Sequence, residues 1–350
     1  MPDPASSSAA SINRRAALKL GLASLAGLWL AESLPPGTAS AEDLPEQQQG
    51  RVISANITIH PEPTFKSKEI KKYWRDTILP ITLVTIGDSE PAHNRVWYKI
   101  GEEGYAHSGN IQPVRTQLND PPTEIRPGGM LAEVTVPFTD AHFRAGKEYG
   151  VAYRYYYETT HWVDRIIHDR AGAPWYRVRE DKWEMIFFVP QEHLRVLPDD
   201  ELSPLSPDVP MIGKRLEVRL EDQLVIAYEW NQPIFMSKAS TGSKFSNGNY
   251  ATPYGRFFTN HKRPSRHMAA GDIASNGYDL PGVPWVSYIT ESGIAFHGTY
   301  WHNDFGQPRS HGCINLPSQA SRWIYRWTLP QVPTAEQRVY EESGTPVDVV

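Results

Sequence analysis

Thirty prolines are spread along this 350-residue chain, and they constrain its fold more than any other feature. Proline fixes φ and has no amide hydrogen, so it is kept out of helix interiors and central strands. A chain punctuated in this way is built from short strands, edges and turns. Eleven tryptophans and 17 tyrosines point the same way, because aromatic side chains suit a pleated, half-buried surface. Period-two alternation supplies the strands themselves. Val52, Ile57 and Ile59 alternate near the start; Leu216, Val218 and Leu220 alternate later, followed by Leu224, Ile226 and Tyr228. The last two runs meet at Glu221-Asp222-Gln223, which predicts a hairpin. Residues 252–258 read as a turn and a strand, residues 286–298 as strand, Ser-Gly turn and strand, and residues 344–350 as a closing strand. Only residues 318–329 have a helical period: Trp323, Ile324 and Trp327 share a face, Ser318 is a candidate cap and Pro330 a stop. The expected fold class is mainly β, with one helix in the C-terminal region.

Hydrophobic residues make up 40% of the chain and charged residues 21%, the balance of an ordinary globular protein. The net charge of −5 leaves no basic face for nucleic acid. Residues 1–41 are set apart from the fold. Arg14-Arg15 precedes an apolar run over residues 16–30, interrupted by Lys19 and short for a membrane span of ~20 residues. Residues 13–19 resemble a twin-arginine export signal, with Ala17 where an aromatic is more usual. Ala39-Ser40-Ala41 fits a signal peptidase site, placing the mature start at Glu42; an uncleaved anchor is the alternative, and the only membrane contact expected. Both readings put the protein outside the cytoplasm, in the periplasm or cell wall.

Residues 42–51 are a polar linker. Residues 96–114 and 174–197 then look like two copies of one pattern: Trp-Tyr-basic-aliphatic, a polar turn, an aromatic strand, and a second turn ending in aliphatic residues. The pattern resembles the bacterial SH3-like barrel, and residues 62–70 resemble its opening loop. A first module is expected over residues 52–115 and a second, looser one over 130–198. Such modules either bind glycan or another wall polymer or only pack against their neighbour. The proline- and acid-rich stretch 199–212 is the best domain boundary, leaving residues 213–350 as a domain of their own.

Cys313 is the only cysteine. Exported proteins use cysteines mostly in disulfide pairs, so a lone thiol is either a passive buried group, an intermolecular link or a nucleophile. Its surroundings favour the nucleophile. Gly312 lets a substrate carbonyl approach the backbone amides, His311 precedes that glycine, and His297-Gly298 lies upstream at the end of an expected strand. A loop folding back on that strand brings a base to the thiol.

His297-Gly298 followed by Ser310-His311-Gly312-Cys313 and Asn315 resembles the signature of the L,D-transpeptidase catalytic domain. The resemblance runs over residues 213–350 and takes in residues 223–235, Ser240-Thr241-Gly242, Thr252-Pro253-Tyr254-Gly255 and the closing Gly344-Thr345-Pro346-Val347. It implies a β-sandwich catalytic domain in which Cys313 is the nucleophile and His297 the general base and later acid. Ser310, His311 and Gly312 complete the motif, and backbone N–H groups near Gly312 and Cys313 form the oxyanion hole. The implied reaction takes a peptidoglycan stem tetrapeptide, expels D-alanine, leaves a thioester on Cys313 and passes the acyl group to an amine, without metal or cofactor. Four further residues are grouped with the substrate: Tyr278 as a border of the pocket, or a turn residue beside Gly277; Tyr300, with Trp301 and His302, as groove lining, or loop packing; Arg309 for a stem-peptide carboxylate, or a solvated charge; and Asn315, whose expected work is to tie down the catalytic loop.

Three rival readings stand beside this one. His297, His302, His311 and Cys313 are zinc-ligand types, although their spacing matches no standard zinc motif. A wall-binding protein without activity is the second, against which the intact motif argues. Water in place of the amine makes the protein an L,D-carboxypeptidase, the third.

Overall fold

The structure, a computed structural model, describes residues 48–122, 124–246, 248–271 and 277–350. The expected export signal at residues 1–41 and most of the linker after it lie outside the described residues.

The N-terminal part contains β1 (Gln49–Val52), β2 (Asn56–Ile59), β3 (Lys71–Trp74), β4 (Ile78–Ile86), β5 (Val96–Ile100), β6 (Gly104–His107) and β7 (Ile111–Val114). Five of these form a sheet in the order β6-β5-β4-β1-β7, and the β2-β3 hairpin touches its edge through a bridge between His60 and Tyr105. The next part contains β8 (Met130–Val134), β9 (Phe138–His142), β10 (Val151–Tyr156), β11 (Thr160–His168), β12 (Pro174–Arg179), β13 (Ile186–Pro190) and β14 (Leu194–Val196), ordered β10-β9-β13-β12-β11-β8-β14. The two orders are the same: a hairpin at the edge, then the sixth, fifth, fourth, first and seventh strands. The likeness reaches single residues. His142 pairs with Phe188 where His60 meets Tyr105. The ring of His60 stands edge-on to Trp97 with its Nδ1 3.1 Å from the Ser67 carbonyl. That of His142 stands edge-on to Trp175 with its Nδ1 2.7 Å from the Tyr149 carbonyl. The repeated Trp-Tyr segments of the sequence are thus β5 and β12, central strands of two like sheets.

The C-terminal part contains β15 (Lys214–Arg219), β16 (Leu224–Glu229), β17 (Gln232–Lys238), the short β18 (Lys244–Phe245) and β19 (Gly248–Asn249), β20 (Gly255–Ala270), β21 (Tyr278–Tyr288), β22 (Ala295–Gly298), β23 (Ile314–Leu316) and β24 (Val339–Val349). Its eight-stranded sheet runs β17-β16-β15-β24-β20-β21-β22-β23. The predicted hairpin is β15-β16, with Arg219 opposite Leu224. The helix Ser318–Trp327 packs Ile324 and Trp327 against Phe296, Ile314, Leu316, Val218 and Val347. The mainly β, β-sandwich class read from the sequence is the one the chain adopts.

One detail differs from expectation, at the N-terminal end of the helix. Pro317, not Ser318, holds the N-cap position and makes no side-chain cap; Ser318 is the first helical residue. At the other end two buried lysines hold the last carbonyls. Lys262 Nζ donates to Tyr325 and Thr328 at 2.5 and 2.8 Å, and Lys214 Nζ donates to Trp327 at 2.9 Å. A cation at a helix C-terminus complements the dipole, and burial lowers the pKa of both lysines. Lys262→Met keeps much of the volume and strands two buried carbonyls. The expected loss is about 2–6 kcal/mol at ~1–3 kcal/mol per unpaired acceptor, read as a lower urea midpoint at unchanged slope.

The three parts are not loosely strung. The described residues all fall within one compact unit. Leu131, Trp162 and Leu197 of the second part bury themselves against Trp285 and Tyr325 of the third. Burying each such side chain is worth roughly 1.5–3 kcal/mol before the cost of ordering it, so the seam holds the second and third parts together. The stretch 199–212 is docked too: Arg322 pairs with Glu201 at 2.7 Å and Arg326 Nε donates to the Ser203 carbonyl at 2.7 Å.

Candidate active site

β22 and β23 are parallel, with His297 opposite Asn315. Parallel neighbours cannot be joined by a tight turn, so residues 299–313 form a long crossover. That crossover carries Ser310 to Cys313, and the two strands it joins carry His297, Gly298 and Asn315. Phe296, Ile314 and Leu316 point into the core beneath the helix. Alternation then sends His297 and Asn315 to the opposite face, where Cys313, just before β23, packs beside Tyr300 and Trp301.

Cys313 is partly exposed, yet its thiol lies in dense surroundings. Burial pushes it up to about 11, against a backbone hydrogen bond from Ala295 that pulls it down. The Sγ donates weakly to the Gly293 carbonyl at 3.6 Å. His297 is buried, which lowers its pKa to about 4 in spite of the bond to the Gly298 carbonyl. That bond, 3.0 Å from Nδ1, matters for the tautomer. A carbonyl only accepts, so the proton is on Nδ1 and the Nε2 lone pair is free to act as a base. No hydrogen bond joins Nε2 to Sγ in the free protein; contacts of this kind often tighten only when substrate binds.

Ser310 braces the turn. Its hydroxyl donates to the Cys313 carbonyl at 2.5 Å and accepts the Gly312 N–H at 3.1 Å. The Gly312 N–H, expected near the oxyanion, is engaged within the turn in the free protein. Gly312 has φ of +115°, a conformation that only glycine adopts without strain. Its carbonyl accepts from the Thr252 hydroxyl at 2.8 Å. The Ser240-Thr241-Gly242 segment lies alongside, with Ser240 and Asn315 exchanging backbone bonds at 2.9 and 3.0 Å.

His311 lies in an aromatic cage. Its ring stacks on Phe245 at 4.6 Å, meets Tyr250 edge-on at 4.7 Å and has Tyr278 at 5.8 Å. Its Nε2 is buried and has no hydrogen-bond partner, and burial lowers its pKa. Tyr278, the first residue of β21, is close enough to Cys313 for a thiolate there to raise its pKa, after the larger effect of burial. Tyr288 feels Cys313 in the same way, behind burial and two arginines.

The other candidates are engaged with partners inside the protein. Tyr300 does not line a groove: it is 3% exposed, stacked on Tyr156, with its hydroxyl on the Pro281 carbonyl. Arg309 is not free for a carboxylate ligand, because it pairs with Asp304 at 2.7 Å. Asn315 is buried with its amide 3.0 Å from His302 Nε2, so it ties the loop rather than facing substrate. His297, His302, His311 and Cys313 are not gathered as a ligand set; among the described residues no three metal-ligand side chains are. Sequence reasoning missed Tyr288, Phe245 and Tyr250. The Asn-Gly step between the last two is a strong hairpin signal and would have drawn attention to them.

The crossover is held from outside by the first part of the chain. Arg51, 2% exposed, donates to the Tyr300 carbonyl at 2.9 Å and pairs with Asp76 at 2.8 Å beneath the Tyr156 ring. Asn303 donates to the Ile111 carbonyl at 3.1 Å, and Asp304 accepts from Asn94 at 3.2 Å and lies 3.0 Å from His93 Nε2. Elsewhere a cleft of about 710 Å³ opens between the second and third parts, walled by Arg179, Glu184, Arg263 and Arg338; neither Cys313 nor His297 lines it.

Residues 213–349 match the family model of the YkuD L,D-transpeptidase catalytic domain. No curated protein matches the chain. Solved structures do. The catalytic domain of an Enterococcus faecium L,D-transpeptidase is 24% identical over 39% of this chain and 96% of that one, with a TM-score of 0.31. A cysteine-to-serine mutant of an L,D-transpeptidase from Enterococcus faecium is 22% identical over 39% of this chain and 50% of that one, also at 0.31. An L,D-transpeptidase from Mycobacterium smegmatis is 18% identical over 55% and 89%, at 0.33. The alignment thus spans about half the length of the longer Enterococcus faecium chain.

Proposed function

Residues 213–349 being an L,D-transpeptidase catalytic domain of the YkuD family, we propose that this protein is an exported peptidoglycan L,D-transpeptidase working through an acyl-enzyme on Cys313. The observation that carries the reading is the pairing across β22 and β23. The chain's one thiol stands at the start of β23, and the neighbouring strand presents a histidine whose Nδ1 is tied to Gly298.

At neutral pH both groups are uncharged, so the thiol proton leaves as the sulfur attacks. His297 Nε2 takes that proton while Sγ bonds to the carbonyl carbon of the third stem residue. The Cys313 N–H is the donor proposed for the oxyanion, given that the Gly312 N–H is held by Ser310. Collapse breaks the peptide bond and His297 returns the proton to the departing D-alanine amine, leaving the thioester. An acceptor amine then attacks the thioester, gives a proton to His297, and frees the thiol. No step needs a metal or an organic cofactor. Tyr278 and the His311 cage border the pocket in this reading.

The two N-terminal parts, read from sequence as SH3-like modules, are proposed to serve the site by packing. The buried seam at Trp162 and Trp285 and the Arg51–Tyr300 bond support packing over a freely hinged wall-binding role. Glycan binding on their outer faces remains compatible with it. The location outside the cytoplasm follows from the substrate, which is there.

Intact-mass spectrometry of residues 42–350 with a disaccharide tetrapeptide tests the reading. D-alanine release with cross-linked dimer is the expected result. Hydrolysed tripeptide alone makes the protein an L,D-carboxypeptidase. The absence of both adduct and turnover overturns the enzymatic reading in favour of a wall-binding protein.

A further inference from the structure

The arms β20 and β21 carry one wall of the site, since Tyr278 on β21 stands beside Cys313 and His311. Away from the thiol, the turn between β12 and β13 lies against these arms. His267 of β20 is buried there between two carboxylates, with Nδ1 2.7 Å from Glu180 Oε1 and Nε2 against the carboxylate of Asp279. Glu180 is itself fixed by the backbone N–H groups of Lys182 and Trp183 at 2.7 and 2.8 Å. Asp279 is the residue next to Tyr278, and opposite Ala269 in the ladder.

We propose that His267 is a positioning residue for the acylation reaction, an imidazolium that ties Glu180 of the second sheet to Asp279 and so sets Tyr278 against Cys313. The second sheet then shapes the substrate pocket without touching substrate. The proposal rests on Cys313 being the acylated group.

The geometry dictates the charge. A neutral imidazole has one N–H and cannot donate to two carboxylates; its second nitrogen would set a lone pair against an anion. Both bonds are made only by the doubly protonated ring. Burial opposes that charge, but the bonds to Glu180 and Asp279 outweigh it and raise His267 above the ordinary histidine value. The remaining charged neighbours do not change the sign. Asp181 accepts the His267 backbone N–H at 2.8 Å and is neutralised by Arg266 and Arg263 at 2.6 and 3.1 Å. Lys182 is on the Ala269 carbonyl, the Tyr153 phenol is 3.5 Å from Asp279, and His161 is held neutral, at about 3, by burial and then by the charge of His267.

Because the folded value is raised, the imidazolium persists to a higher pH than a free histidine would, and the tie is lost as pH rises through that value. Glu180 is 3% exposed at its side chain and Asp279 26%, so Asp279 is the carboxylate that can turn to water. The Tyr278 end of the arm is therefore the end that loosens.

Two measurements on residues 42–350 test this, each with the wild type, His267→Gln and the milder Asp279→Asn. Asp279→Asn leaves the Glu180–His267 contact in place and is expected to fold. Hydrogen exchange over residues 278–284, referenced to β15, is expected to show about tenfold lost protection in both variants at neutral pH. The wild type should lose the same protection as pH rises through the raised His267 value. Acylation of Cys313 by a carbapenem is expected to need about tenfold more reagent for half-saturation in the variants, with the limiting rate little changed. The ratio of variant to wild type cancels the titration of the thiol itself, and it should return to one at alkaline pH. Unchanged protection in both variants, or a deficit that does not vary with pH, overturns the proposal. If wild-type Cys313 is not acylated, it is the proposed function that fails, and the exchange data still decide whether the tie exists.

Discussion

Cys313→Ser is expected to lower acylation by on the order of 10⁴-fold or more while leaving the fold intact. The loss follows from the nucleophile. A thiol pushed up to about 11 by burial is already a weak acid, and a serine hydroxyl in the same surroundings is far weaker. With a neutral base rather than an ion pair beside it, the oxygen has little help in shedding its proton. The intact fold follows from what holds the turn. Ser310 bonds the Cys313 carbonyl, Thr252 bonds the Gly312 carbonyl and Ser240 pairs with Asn315. None of these involves the sulfur, whose own donation to Gly293 is long at 3.6 Å. Stability is therefore expected within ~1 kcal/mol of the parent, measured by urea unfolding beside intact-mass acylation. Turnover that survives the substitution would place the nucleophile elsewhere.

The candidate motif was legible because its residues are close in sequence. Ser310, His311, Gly312 and Cys313 lie in one turn, Asn315 follows in β23, and His297 sits opposite it in β22. The strands were legible for a similar reason: β15 and β16 alternate cleanly on either side of a polar turn. The two like sheets were visible through Trp97-Tyr98 and Trp175-Tyr176, which the fold uses as central strands. What sequence could not supply was the partner of each polar side chain. Arg309 reads as a free cation until Asp304 is seen folding back on it, and Tyr300 reads as groove lining until Tyr156 arrives from the second sheet. Arg51, Glu180 and His267 carry no local signal at all. Their roles arise from contacts between residues far apart in the chain, such as Arg51 with Tyr300 or Glu180 with His267. The groups that satisfy the helix C-terminus, Lys214 and Lys262, were hidden for the same reason, since they belong to strands.

His297→Ala is expected to slow acylation by about 10²–10⁴-fold near neutral pH, and its pH dependence separates a base from a structural residue. In the parent, His297 is neutral above about 4 and the thiol is protonated below about 11. Between those limits the reaction proceeds by proton transfer to Nε2, so the rate rises as pH climbs through about 4 and then flattens. Without the imidazole only the thiolate reacts. Its fraction grows tenfold per pH unit up to about 11, so the variant should climb steadily where the parent is flat, and the deficit should shrink with each unit. A constant deficit from pH 5 to 10 would mean that His297 shapes the site without taking the proton. Stability gives an independent check. The folded value lies below that of a free histidine, so between about 6.5 and about 4 the unfolded chain binds a proton that the folded protein refuses. Parent stability should therefore fall as pH drops through that window. The alanine variant lacks this contribution and should show a shallower acid limb, read from urea midpoints at pH 7 and pH 5.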